Sequence, residues 1–425
     1  MHFFKYKKKN ILPLYNKIVF LTRENFFYKD LKISDSFSSR IYLIFFHLCF
    51  IIITLKNKES EKKEQQEIFD FFFKQIELNC RELGYGDVTV NKKMKNFGII
   101  DIESQGASTS YASIISIAGI LVSPELEELD RFELYCRNKP GYVPDPYSLW
   151  VNKGFDKMIG SNLSHFEMMK QLHQYIRKWS PCIWTGWNSC GFDFVFLQKE
   201  NYKSLLPIYI TNTQGSEHSD FLQVARTSKL FFPDCIKTGL SDKGNAIFKL
   251  DSLGPLNFPD LDTKKFHTAI QDCETLLRVM KKLKQGAGEI FESSKLTTTK
   301  LSAREIIEKE KIFTTAFYFY GKSRAFAVTY LTDHSTYKWP MVFCLENDPK
   351  DLIKLDYNSL KESLQKPGKW VRALPLNKHP QILHAKYALQ TDPYKTIGMK
   401  VLLERANLIH NNKEFGEKVG LALGE

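Results

Sequence analysis

The 425-residue sequence lacks the features that mark several broad classes of protein. Its eight cysteines show no Cys-x-x-Cys or Cys/His zinc spacing, so we interpret them as reduced thiols of a cytosolic protein. The apolar, charge-free run at residues 41–55 would span about 22 Å as a helix, short of the ~30 Å of a bilayer's hydrocarbon core. No signal peptide and no internal repeat is evident. We therefore predict a cytoplasmic location and no membrane association.

The composition that remains is that of a globular protein with a positive surface. The chain is 43% apolar, 14% aromatic and 25% charged, which excludes a disordered, collagen-like or disulfide-rich protein. Its length corresponds to two or three domains, each large enough to bury a core. Lys and Arg number 60 against 48 Asp and Glu, a net charge of +12. This excess favours a polyanionic partner.

Residues 1–93 differ in character from the rest. They contain a basic run at residues 5–9, the apolar run at 41–55 and a Lys/Glu-rich stretch at 56–67. We interpret them as an extension outside the main fold, which would begin at Met94, just before the first predicted strand. A membrane anchor and a packed accessory segment are the alternatives.

From Phe97 onward, short apolar runs alternate with helical periodicity. Ser164 to Glu167 is typical of a capping box that opens a helix. Strands alternating with helices predict an α/β core over residues 94–286, with a linker near 286–288. Residues 300–390 are β-rich and predict a smaller barrel-like domain, and residues 391–425 predict the start of a helical region. The predicted strands are Phe97–Ile102, Ile114–Val122, Arg131–Cys136, Cys182–Trp187, Ala316–Tyr320, Ala325–Thr332, Met341–Leu345 and Trp370–Leu376.

Acidic side chains occur at the ends of several of these elements. Asp101 and Glu103 lie two residues apart on the first strand, so they share a face. Asp193 opens a predicted helix, and Asp272 lies in a later helix five residues after His267. Paired carboxylates repel each other, and a hard divalent cation such as Mg²⁺ is their natural counter-charge. Five helical steps rotate about 140° off alignment, so His267 should lie at the mouth of the helix and Asp272 in its first turn.

These residues form a recognisable series. Asp-x-Glu, Asn-x-x-x-Phe-Asp and His-x-x-x-x-Asp resemble the motifs of the DEDDh class of 3′→5′ exonucleases. The stretches GWNSCGFD (186–193), HTAIQDCETLL (267–277) and LIKLDYNSLKESL (352–364) are most similar to the bacterial exodeoxyribonuclease I family. The resemblance covers about residues 95–425. It departs from the family at Ile102, Ser104 and Gln105, where aromatic, Thr and aromatic residues are usual, and the family's helical region continues further.

The resemblance implies a ribonuclease H-like mixed-sheet exonuclease domain, an SH3-like DNA-binding domain at 300–390 and a truncated start of the helical region. It implies a single-strand-specific exodeoxyribonuclease of DNA repair or recombination that releases 5′-mononucleotides. Two Mg²⁺ ions, with Mn²⁺ as the alternative, would be held by the four carboxylates. His267 would act as general base. The implied metal-binding and catalytic residues are Asp101, Glu103, Asp193, Asp272 and His267.

Candidate contacts to nucleic acid are less tightly defined. Ser104 lies at the first motif, and aromatic and cationic residues interleave at Tyr318, Tyr320, Lys322 and Arg324. The alternative for that segment is a core strand followed by a solvated turn at 321–323. We expect a monomer that binds single-stranded DNA and a single-strand-binding protein. The competing functions are a DEDDh exonuclease acting on RNA 3′ ends and a non-catalytic, membrane-tethered nucleic-acid-binding protein.

Overall fold

The computed structural model describes residues 11–33, 37–55, 62–82, 95–106, 108–151, 155–262, 267–365 and 370–424. The chain divides into two compact units, Met1–Met94 and Lys95–Glu425. This division falls where the main fold was predicted to begin, although Met94 itself lies outside the described residues.

The amino-terminal unit is helical. Its helices are α1 (Leu12–Leu21), α2 (Phe37–Leu55) and α3 (Lys62–Glu82). Side chains from all three, including Tyr15, Leu48 and Phe72, form a small buried cluster. The apolar run of the sequence thus lies in α2. Within the described ranges, no helix has both the length and the apolar character needed to cross a membrane.

A five-stranded mixed sheet forms the centre of the second unit. Its strands are β1 (Phe97–Ser104), β2 (Ile114–Val122), β3 (Glu128–Tyr135), β4 (Ile183–Thr185) and β5 (Glu217–His218). They are ordered β3-β2-β1-β4-β5. β1, β2 and β3 pair antiparallel, whereas β4 and β5 continue the sheet in parallel from β1. The predicted mixed α/β architecture is confirmed.

Helices cover both faces of this sheet. They are α4 (Pro146–Val151), α5 (Phe155–Ile159), α6 (His165–Trp179), α7 (Asp193–Lys203), α8 (Phe221–Phe231), α9 (Leu250–Asn257) and α10 (Ala269–Gly286). A two-stranded hairpin, β6 (Gly239–Leu240) and β7 (Ala246–Ile247), precedes α9. The predicted capping box is present at the start of α6, where Ser164 and Glu167 satisfy each other's backbone N–H groups.

Successive side chains of β1 point to opposite faces of the sheet, and each face is covered by different helices. Phe97 and Ile99 belong to the buried cluster that includes α10, while Ile100 and Ile102 belong to the cluster that includes α6. Asp101 continues the first set, because residues two apart on a strand share a face. The strand therefore directs its carboxylates to the side covered by α10.

The carboxy-terminal part contains a second, antiparallel sheet. Its strands are β8 (Phe313–Phe319), β9 (Lys322–Asp333), β10 (Pro340–Cys344), β11 (Val371–Ala373) and β12 (Ile382–His384), in the order β11-β10-β9-β8-β12. β12 was not predicted. The accompanying helices are α11 (Gly288–Ser294), α12 (Lys300–Lys309), α13 (Pro349–Ile353), α14 (Tyr357–Gln365), α15 (Tyr394–His410) and α16 (Lys413–Ala422). The SH3-like assignment of this sheet stays a prediction.

The prediction of a linker near residues 286–288 is wrong. Ala287 is 1% exposed, and a Cβ on Gly286 would stand 2.9 Å from the Cα of Cys235. The segment is a tight, buried junction between α10 and α11. Leu383 and Tyr387, from the region of the second sheet, belong to the same buried cluster as α10. The first, mixed sheet and the second sheet thus share a core.

Because the two compact units divide at Met94, a fragment of residues 94–425 should fold without the extension. We expect one cooperative thermal transition, with a midpoint within about 3 °C of the corresponding transition of the full chain, since 1 kcal/mol moves the midpoint by roughly 2–4 °C at this size. Circular dichroism of both proteins measures it. A fragment that aggregates or melts without cooperativity would contradict this prediction.

Candidate active site

Three carboxylates meet at the end of the central strand. Asp101 and Glu103 project from β1, and Asp272 lies in the first turn of α10. Each offers one oxygen, and these oxygens all lie within 4.8 Å of one another. The structure thus brings together residues separated by some 170 positions in sequence, because α10 packs over the face of β1 that carries the two strand residues.

Asp193 completes the set from a different element. It is the first residue of α7 and is 4% exposed. The backbone N–H groups of Asp193 and Ile102 hydrogen-bond its carboxylate. Asp193 lies outside the three-residue group, but its charge raises the pKa values of Asp101 and Glu103. All four predicted carboxylates are therefore at one site.

Burial and mutual repulsion disfavour negative charge at this site. Burial first, and then the neighbouring carboxylates, hold the pKa values of Asp101 and Glu103 well above their usual range. Burial is also the main cause that raises the pKa of Asp193 to about 7 and that of Asp272 to about 7. Four ionised carboxylates are thus costly here unless a cation accompanies them.

The donor set suits a divalent metal ion. Oδ1 of Asp272 is buried and has no hydrogen-bond partner among the described residues. Buried polar atoms are normally paired, so this oxygen has an unused acceptor position beside two further carboxylates. Hard divalent cations take ligands of this kind. Asp101, Glu103 and Asp272 can therefore hold a divalent metal, with Asp193 beside them.

His267 lies in the loop just before α10, as predicted, with a positive φ of 66°. Its backbone N–H hydrogen-bonds the Asp272 carboxylate, and its Nε2 lies 3.7 Å from Oδ2 of Asp251. Asp251 was not predicted as a site residue. It lies in α9, and nothing in the spacing of the sequence indicated that it faces His267.

A groove of about 680 Å³ runs from this site to the second sheet. We call it the inter-sheet groove. Arg226 of α8 lies in it, with its guanidinium 3.6 Å from the ring centre of Tyr318. Arg226 Nε is buried and lacks a hydrogen-bond partner within the described residues. The groove is lined by Trp187, Leu222, Arg226, Ser241, Asn245, Ala246, Ile247, Phe248, Lys249, Leu250, Asp251, His267, Asp272, Tyr318 and Gly321.

The structure separates the predicted nucleic-acid contacts. Tyr318 lines the inter-sheet groove, but Lys322 and Arg324 pair with Phe319 and Phe317 across the hairpin and so lie on the opposite face. Tyr320 is 96% exposed at the tip of the hairpin.

The turn itself differs from the prediction. It is formed by residues 320 and 321, both with positive φ, and Lys322 already belongs to β9. Ser104, at a bulge in β1, donates its hydroxyl hydrogen to the carbonyl of Gly106.

Two family models match parts of the sequence. The model described as Exonuclease matches residues 99–280, which include the four carboxylates and His267. The model described as Ubiquinol-cytochrome C chaperone matches residues 29–103, which lie mostly in the amino-terminal unit. No curated protein matches the chain in sequence.

Solved structures of exonuclease I share the fold. The enzyme from Methylocaldum szegediense superposes with a TM-score of 0.65 and 19% identity, over 77% of this chain and 73% of its own. E. coli exonuclease I in complex with a dA16 oligonucleotide superposes with a TM-score of 0.65 and 19% identity, over 78% of this chain and 74% of its own. A structure of SSB/exonuclease I with an inhibitor superposes with a TM-score of 0.63 and 18% identity, over 78% of this chain and 74% of its own.

The resemblance to exonuclease I is confirmed. At these identities the superposition establishes a shared fold, and the family match adds an exonuclease domain. Together with the acidic cluster, they support a nuclease hydrolase. These superpositions cover more than three quarters of this chain.

Substitution of Asp101 by Asn should stabilise the metal-free protein. Removing one buried charge from a repelling cluster should raise the free energy of unfolding by on the order of 1 kcal/mol, since one unit of pKa corresponds to about 1.4 kcal/mol. Added Mn²⁺ should then stabilise the variant less than the parent. Thermal unfolding with EDTA and with Mn²⁺ measures both effects. Asp234→Asn, at an exposed position, is the control, and equal stabilisation of Asp101→Asn and parent by Mn²⁺ would refute the metal assignment.

Proposed function

We propose that this protein is a single-strand-specific 3′→5′ exodeoxyribonuclease that releases 5′-mononucleotides, acting in the cytoplasm in DNA repair or recombination. The observation that carries the proposal is the convergence of Asp101, Glu103 and Asp272 within 4.8 Å, with Asp193 beside them. This is the arrangement that hydrolysis of a phosphodiester with divalent metal ions requires.

The four carboxylates would hold two Mg²⁺ ions, with Mn²⁺ able to replace them. Such ions stabilise the attacking and leaving oxygens of an in-line displacement at phosphorus. Asp101, central in the cluster, would contribute to both positions. Asp193, held by the backbone N–H groups at the start of α7, would serve the second position directly or through water.

His267 is the proposed general base. Its imidazole would accept the proton of the attacking water, and the Asp251 carboxylate, 3.7 Å from Nε2, would stabilise the imidazolium that results. The side chain of His267 is partly exposed in the loop before α10, so it could approach the attacking water. Asp251 is therefore a positioning and electrostatic partner rather than a metal ligand.

The inter-sheet groove supports a single-stranded substrate. Trp187, Phe248 and Tyr318 offer aromatic surfaces, and Arg226 and Lys249 offer positive charge. Aromatic platforms and basic side chains are what proteins use to bind unpaired nucleotides. E. coli exonuclease I has been crystallised with single oligonucleotides, which favours the same substrate here. We expect a monomer, and a single-strand-binding protein as a further partner.

RNA 3′ ends are the main competing substrate, because carboxylates and a histidine that act at the phosphate would not distinguish the sugar of RNA from that of DNA. A non-catalytic role is not favoured, since a protein that only binds nucleic acid gains nothing from repelling carboxylates beside the phosphate.

The decisive experiment compares 3′-labelled and 5′-labelled single-stranded DNA, duplex DNA and RNA of matched length, with Mg²⁺. We expect label release as mononucleotide from the 3′ end of single-stranded DNA. Asp272→Asn should lose at least about 10²-fold in rate, and His267→Ala about 10²–10⁴-fold, the usual contribution of a positioned base. Asp234→Asn is the matched control. If Asp272→Asn keeps more than about a tenth of the parental rate, the site assignment fails, and faster hydrolysis of RNA would replace the DNA proposal.

Tyr318→Ala should weaken binding of a single-stranded oligonucleotide, since loss of one stacked base costs about 1–3 kcal/mol. The double substitution Lys322→Ala and Arg324→Ala, on the other face of the hairpin, should change affinity less. Fluorescence anisotropy with Ca²⁺ in place of Mg²⁺, over a range of salt concentrations, measures both. A larger loss of affinity and of salt dependence in the double variant would show that the strand follows the opposite face.

A further inference from the structure

The turn that precedes Asp193 is held by a buried carboxylate on another element. Asp220, 1% exposed and the N-cap of α8, accepts hydrogen bonds from the backbone N–H groups of Asn188, Cys190 and Leu222 at 3.1, 3.2 and 3.1 Å. Asn188 has a positive φ of 68°. The shape of this turn sets where α7 begins, and Asp193 is the first residue of α7.

Asp220 is in turn held from the second sheet. Its backbone N–H donates to Nδ1 of His379 at 2.9 Å, and Nε2 of His379 lies 2.8 Å from the carbonyl oxygen of Ser294. Since Nδ1 accepts and Nε2 must donate to a carbonyl, the imidazole is the neutral Nε2–H tautomer. His379 is 2% exposed, so solvent does not replace these contacts.

A second contact reaches the same turn. Lys378 donates from Nζ to the carbonyl oxygen of Cys190 at 2.8 Å. Lys378 and His379 are adjacent residues of the segment between β11 and β12. The segment between β11 and β12 thus holds the turn before Asp193 through two hydrogen bonds. Lys378 bonds the turn directly, and His379 acts through Asp220.

The turn borders unfilled space on one side. A cavity of about 330 Å³ lies against it, lined in part by Cys190, His218, Asn377 and His379. Where side chains do not fill the space, the hydrogen bonds decide the position of the backbone. Loss of either contact would therefore let the turn, and Asp193 after it, shift towards the cavity.

We propose that His379 and Lys378 are positioning residues, through which the second sheet fixes Asp193 in the metal site. This inference rests on the proposed function, because it assigns a catalytic use to the placement of Asp193. Neither residue touches the substrate or the reacting atoms. Their effect should appear in the chemical step and in metal affinity rather than in oligonucleotide binding.

The test uses the full chain with two substitutions that suit the left-handed backbone of His379, whose φ is 52°. His379→Asn keeps an acceptor where Nδ1 stands, whereas His379→Gly removes it, and Gly and Asn both tolerate positive φ. Lys378→Met removes the second contact without changing the length of the side chain greatly. His384→Ala, at an exposed histidine of the same sheet, is the control.

We measure kcat and KM on single-stranded DNA and Mn²⁺ affinity by calorimetry, at a temperature well below each variant's unfolding midpoint. His379→Gly should lower kcat about tenfold or more, because a misplacement of 1 Å can cost 10²-fold. It should leave KM within about twofold and weaken Mn²⁺ binding. Lys378→Met should do the same to a smaller extent, and His379→Asn should recover most of kcat.

Two outcomes would overturn the inference. One is an active parent whose kcat and Mn²⁺ affinity are unchanged in both His379→Gly and Lys378→Met. The other is an equal loss in His379→Asn and His379→Gly, which would indicate packing of the ring rather than its acceptor. A parent without nuclease activity would defeat the proposed function instead, and the Mn²⁺ titration would still test whether His379 sets the geometry of the site.

Discussion

Repulsion among four carboxylates, one buried and three half-buried, is the constraint on which the rest of the structure depends. Left alone, such groups would separate or take up protons, so the fold has to confine them. β1 does this from the middle of its sheet, where β2 and β4 pair with it on both sides. Asp193 and Asp272 each occupy the first turn of a helix, where the positive end of the helix dipole offsets part of the negative charge. The scaffold thus supplies partial compensation, and a cation would supply the rest.

The features that depend on interactions between neighbouring residues could be predicted from the sequence. Periodicity and capping rules act over a few residues. They were enough to predict the strand of Asp101, the capping box at Ser164 and the position of His267 just outside its helix. The motif order then led to the exonuclease I fold, which the comparisons bear out. The catalytic roles of these residues stay predictions.

Features set by contacts between distant parts of the chain were not foreseen. His379 meets Asp220 across 159 positions, and Asp251 meets His267 only because α9 packs beside α10. Short elements were missed for a related reason. β12 has three residues, too few for a periodic pattern, and its partner β8 determines it. The turn between β8 and β9 was predicted to begin at Gly321. It begins one residue earlier, because Tyr320 also adopts a positive φ.

The shared core beneath the two sheets has a consequence for how such a protein can change in evolution. Leu383 and Tyr387 fill space against the nuclease helices, and Ala287 closes the junction between them. A recombination event that exchanged the second sheet for that of a distant relative would carry away part of the nuclease interior. An exchange of the second sheet alone would therefore remove buried contacts from the first sheet as well, so the two sheets could be replaced only together.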